Sequence, residues 1–153
     1  MKHLKPLFLL AVLFMLVPTA CKKSNNDLAA SAVSLKFKFN GSAQAANTVI
    51  ATYYKSQGTV QIMGSMANST QVLNLMVNNV KVGTFDVATG DAIASYSIGA
   101  DLDHSYLGTT GKIVITKFTT EAVGGTFQFS SVAGVGLAGT FTEGTFLAKL
   151  ITM

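Results

Sequence analysis

From Ser34 the chain alternates so strictly that Leu35, Phe37 and Phe39 fall on one face of an extended strand and Lys36 and Lys38 on the other. A helix would scatter these residues around its axis, because its repeat is about 3.6 residues rather than two. Asn40 and Gly41 follow, a pair that favours the left-handed backbone of a tight hairpin turn. The same alternation returns along the chain. Val60 and Ile62 alternate with Gln61 and Met63; Leu73, Leu75 and Val77 with Asn74, Met76 and Asn78; Phe127 and Phe129 with Gln128 and Ser130.

These runs predict strands over Ser34–Phe39, Thr48–Lys55, Thr59–Ser65, Gln71–Asn78, Gly83–Val87, Ile93–Ile98, Lys112–Phe118, Gly125–Ser131 and Gly139–Leu150, the last with Gly144 as a candidate break. A short helical segment over Asp101–Leu107 is compatible with the sequence but not required. One-sided strands at this spacing describe an all-β domain, an antiparallel β-sandwich or partly closed β-barrel of about nine strands. Both prolines, Pro6 and Pro18, lie ahead of the first strand, so no strand interior is interrupted.

The region before Ser34 has a different character. Lys2 and Lys5 precede the apolar run Leu7 to Val17, and Pro18 Thr19 Ala20 Cys21 closes it. This is the pattern of a lipoprotein signal peptide over residues 1–20, cut before a cysteine that then carries lipid. About eleven apolar residues fall short of the roughly 20 that span a bilayer as a helix. Cys21 is the only cysteine, so no disulfide can form within the chain, and a thioether to diacylglycerol accounts for the unpaired sulfur. Residues 21–33 are small and polar and read as a flexible tether, leaving 34–153 as a single all-β domain. The expected product is a lipid-anchored lipoprotein of the cell envelope, at the outer membrane, with its periplasmic or surface face left open and palmitate among its acyl groups.

Charge narrows the partners. The chain has 11 Lys+Arg, all lysine, against 7 Asp+Glu. Lys2 and Lys5 leave with the signal, so the mature part carries 9 minus 7, or +2. Without arginine or clustered lysine, nucleic acid is not an expected partner. The expected partners are the membrane, through lipid on Cys21, and another envelope protein or glycan.

In the C-terminal half, Gly111–Phe118 (GKIVITKF), Gly125–Phe129 (GTFQF) and Phe141–Phe146 (FTEGTF) resemble the GxIxITK, GTFxF and xTxGxF series of small Bacteroidetes-type lipoproteins grouped only as a domain of unknown function. The resemblance implies an exported all-β lipoprotein and carries no family site to this chain.

Several groupings invite a catalytic or ligand-binding reading and fail on context. Gly134–Gly139 matches GxGxxG, but a dinucleotide site needs a strand before it and a helix after it. Asp101, Asp103, His104 and Ser105 cluster, yet the mature chain has no second histidine for zinc and the spacing is not that of a calcium loop. They read as a polar turn. Glu121 and Glu143 are the only glutamates, with nothing to pair them as glycosidase carboxylates. No catalytic, cofactor-binding or metal residue is expected, and the protein is read as a non-enzyme. Tyr53 and Tyr54 are adjacent, so one of them must leave the core. Met63, Met66 and Met76 could line an adaptable partner surface, but covered core is the preferred reading. Two functions follow: a non-catalytic binding module of the envelope or, alternatively, a small β-barrel carrier of an apolar ligand held inside.

Overall fold

The computed structural model describes residues 33–66, 70–99, 104–132 and 136–153. The signal segment, Cys21 and the tether up to residue 32 lie outside the described residues, as do Asp101, Asp103 and Gly134. Among the described residues ten strands form: β1 Ser34–Phe39, β2 Ser42–Ala45, β3 Thr48–Tyr54, β4 Thr59–Ser65, β5 Gln71–Val77, β6 Gly83–Asp86, β7 Ala92–Ile98, β8 Ser105–Phe118, β9 Ala122–Ser131 and β10 Gly139–Thr152. The all-β expectation holds, with β2 added to the nine predicted strands. The short helical option is corrected over its described part: Ser105–Leu107 open β8.

Three long strands make the spine. β9 pairs antiparallel with β8 on one edge and with β10 on the other. The far edge of β8 is shared between β7, against Ser105–Leu107, and β6, against Lys112–Ile115. The far edge of β10 is shared between β1, against Phe141–Leu147, and β3, against Leu150–Thr152. The wall β3-β4-β5-β7 therefore hangs from the end of β10 and the start of β8, opposite ends of the spine, and the ring β10-β3-β4-β5-β7-β8-β9 closes. The β10–β3 seam is parallel and only three residue pairs long; every other pairing is antiparallel. β1 and its hairpin partner β2 extend the spine wall on one side and β6 on the other.

The inward positions are those the alternation marked. Leu35 and Phe37 from β1, Val60 and Ile62 from β4, Leu73, Leu75 and Val77 from β5, and Phe127 and Phe129 from β9 all enter one buried cluster. The two walls meet through named contacts: Phe37 packs edge-on to Tyr96 of β7 with centroids 5.7 Å apart, and the Leu35 side chain fills the space above Gly64 of β4. Asn40 and Gly41 both have positive φ, as the tight β1–β2 turn requires. Among the described residues one buried cluster gathers side chains from both walls, and each strand of the ring has two neighbours.

β10 passes through Gly144 without breaking. Between Phe141 and Gly144 it spends three steps where β1 and β9 each spend two, which is a β-bulge. Thr142 and Glu143 then point outward in succession, and the odd spacing of Phe141 and Phe146 still delivers both rings to the core. Glu143 takes φ 53° at the bulge and pairs with Lys38 on β1 at 2.7 Å.

Candidate binding surfaces

The barrel interior is occupied by its own rings. Phe129 and Phe141 stack at 4.0 Å and 9°, Phe39 stacks on Phe141 at 4.9 Å, and Tyr96 meets Phe141 edge-on at 5.4 Å. Tyr96 is the one polar handle in this group; its hydroxyl donates to Oε1 of Gln71 at 3.0 Å. Burial, and then the neighbouring Tyr106, push its pKa above the usual tyrosine value.

Where β3 joins β10, the end of the barrel opens into a recess of about 380 Å³. Tyr53 at the end of β3 and Phe118 at the end of β8 meet edge-on at 5.2 Å and form two of its sides. Leu150 and Thr152 of β10 supply another, and Lys55 with Thr119 and Thr120 stand at the rim.

The outer face of the wall β3-β4-β5-β7 is chemically distinct from the rest. Its four strands have seven residues each and contain no Asp, Glu, Lys, Arg or His. Ile50 is 49% exposed, Met63 41% and Ile93 37%, and Met76 is half-buried beside them. Between them the polar side chains bond to one another: Tyr54 Oη donates to Gln61 Oε1 at 3.4 Å, and Gln61 Nε2 to Asn74 Oδ1 at 2.9 Å. The spine wall by contrast carries Lys36, Lys38, Lys112 and Glu143 on its outside.

The groupings singled out in the sequence separate in space or fall outside the described residues. Cys21, Asp101 and Asp103 are outside; His104 is exposed and Ser105 begins β8. Gly136–Ala138 connect β9 to β10, and Gly139 opens a strand where a nucleotide fold would start a helix. The carbonyl of Glu121 accepts from the Leu150 amide, seven residues along β10 from Glu143. At about 3.3 Å per residue the two glutamates stand about 23 Å apart, beyond the separations glycosidases use. Among the described residues no three His, Cys, Asp or Glu side chains come together. Tyr53 packs on the core while Tyr54 turns outward, as their adjacency demands. Met66 is buried as expected; Met63 is 41% exposed, because no described strand packs over that face of β4. Ile50 and Ile93 were not marked as surface residues, although the missing charge at every alternate position of these strands was there to be read.

Residues 24–148 match a family model described as a domain of unknown function, DUF6252. The chain belongs to that family. The match begins just after Cys21 and covers nine of the ten strands in full and most of β10. No curated protein and no solved structure matches the chain.

Proposed function

We propose that this DUF6252 protein is exported, held at an envelope membrane by lipid on Cys21, and works there as a non-catalytic interaction module. Its contact surface in this reading is the outer face of β3-β4-β5-β7. One observation carries it: four adjacent strands present no ionised group and leave Ile50, Met63 and Ile93 in solvent. Interfaces are depleted of charge at their centres and enriched in methionine, and the face has both features. The basic start, the apolar run and the lone cysteine support the anchor.

Two measurements test it. Labelled palmitate enters the wild-type chain in cells and is lost in Cys21→Ser; retention of label in that variant would sink the anchor. The photo-reactive residue p-benzoylphenylalanine replacing Met63 or Ile93 yields crosslinked adducts in intact cells, and the same residue replacing Lys112 on the spine wall yields none. Equal adducts from both walls would remove the face from the proposal.

The carrier reading finds support in the recess alone, since the interior is filled with rings. At about 380 Å³ the recess lies within the range of small-ligand pockets, roughly 300–1,000 Å³. Dodecanoate, an apolar chain with a head for Lys55, is the probe: a rise in melting temperature that Phe118→Ala abolishes would favour the carrier.

A further inference from the structure

The apolar residues of the charge-free wall lie in a line. Ile50 on β3 stands directly opposite Met63 on β4, and Met76 on β5 directly opposite Ile93 on β7. Met63 and Met76 are diagonal neighbours, because Met63 pairs with Asn74 and Met76 with Gln61. The stripe therefore reads Ile, Met, Met, Ile across four strands. Its order is the same from either end.

We propose that the partner of this face is a second copy of the chain, packed wall to wall about a two-fold axis that passes between Met63 and Met76. The inference rests on the reading above that the face is an interaction surface, and it names the partner. A two-fold contact requires a patch that is complementary to itself. Such an axis, lying in the interface and crossing the stripe, sets Ile50 against Ile93 of the second copy and Met63 against Met76 of the second copy. Each apolar side chain then meets another, and the flexible thioethers at the centre adjust to fill the contact.

Charge selects the same arrangement. Two spine walls brought together would bury Lys36, Lys38 and Lys112 of each copy with Glu143, already paired to Lys38, beside them, whereas two charge-free walls meet without repulsion and leave the lysines in water. The hydrogen bonds from Tyr54 to Gln61 and from Gln61 to Asn74 are already made within one copy, so covering these groups strips less from them.

Size sets the strength. Four strands about 4.8 Å apart and seven residues long give a wall of about 19 by 24 Å, roughly 450 Å² of footprint. Leu107, 38% exposed and paired with Ser95, lengthens the neighbouring row. A specific interface usually buries about 800 Å² per partner, so this patch makes a weak, reversible pair. Anchoring both copies on one membrane would raise their effective concentration and populate it.

The test uses residues 22–153, which contain all ten strands and no cysteine. Sedimentation equilibrium is expected to show a monomer–dimer equilibrium that is unchanged between about 50 and about 500 mM salt, roughly the range over which surface charge becomes screened. Met63→Lys, at a position already in solvent, keeps the melting curve and weakens the dimer at least about ten-fold; Lys112→Glu leaves it alone. Chains carrying Met63→Cys mixed with chains carrying Met76→Cys form the mixed disulfide faster than either forms its own. A dimer indifferent to Met63→Lys, or one dissolved by salt, overturns the proposal. A chain that stays monomeric while position 63 crosslinks a different protein in cells overturns the second copy and leaves the interaction surface standing. A monomer with no crosslink from position 63 removes both.

Discussion

A methyl group on Gly125 would run into the carbonyl oxygen of Val114 and stand 3.0 Å from the ring of Phe146. On Gly144 it would lie 2.6 Å from the ring of Phe127. These two glycines belong to the GTFxF and xTxGxF series, and both are there for want of room, Gly125 against the backbone of Val114 and Gly144 against a core phenylalanine. Gly125→Ala is expected to lower the unfolding free energy by about 1–3 kcal/mol, as overpacking does elsewhere, with urea denaturation as the readout. Unchanged stability would show that β8 yields to the methyl group without cost. Tyr96 makes a different demand. Its proton serves the bond to Gln71, and its ring is packed among Phe37, Phe39 and Phe141. With the folded pKa raised above the unfolded value of about 10, the unfolded chain loses this proton first as pH rises. The contribution is complete below about pH 10 and is lost as pH climbs through the folded pKa. Tyr96→Phe should be about 1 kcal/mol less stable at pH 7 and should fall off less steeply above pH 10. Parallel stability curves for the two proteins would contradict the assignment.

The bulge in β10 is the element that a strict two-residue pattern misreads. Phe141 and Phe146 differ by an odd number of positions, so a regular strand could bury only one of them; a break at Gly144 is not needed to bury both. One extra residue resolves the conflict, at the expense of left-handed backbone at Glu143. A non-glycine residue pays roughly 1 kcal/mol there, while an exposed Lys38–Glu143 pair returns only a few tenths. Glu143→Gly is thus expected to stabilise the domain by about 0.5 kcal/mol, seen as a melting temperature higher by about 2 °C. A lower melting temperature would show that the ion pair outweighs the strain. Where alternation was strong, sequence and structure coincide: β1 and β4 have the predicted bounds. β2 escaped because its apolar face is only Ala43 and Ala45, both exposed and too small to mark a strand; backbone pairing to β1 makes it one. The first half of β8 escaped because Gly108 and Gly111 look like loop, yet Gly111 lies so close to the carbonyl of Gln128 on β9 that a side chain would not fit. The charge-free wall was legible residue by residue. Whether another layer covers it depends on topology, which local spacing does not encode.

At the scale of the whole molecule, ring closure and surface chemistry are linked through one seam. The wall that bears the Ile–Met–Met–Ile stripe is attached to the spine at β7–β8 and at the short parallel pairing of Leu150–Thr152 with Ala51–Tyr53. The amide of Met153 donates to Tyr53 at 2.9 Å, so by the alternation of strand hydrogen bonds the Ile151 amide also faces β3. Ile151 has its side chain largely in solvent, and Ile151→Pro would therefore strike the seam through the backbone rather than through the core. The loss expected is about 1–3 kcal/mol of stability, concentrated locally. In hydrogen exchange the amides of β3 should lose protection ahead of those of β5, which keeps both its neighbours β4 and β7. Because Ile50 rides on β3, opening the seam should also displace one end of the stripe and weaken self-association. Val at position 151 keeps the amide and should restore both properties. Equal loss of protection in β3 and β5 would show instead that the barrel opens as one unit, and that the three-residue seam is no weaker than the rest of the ring.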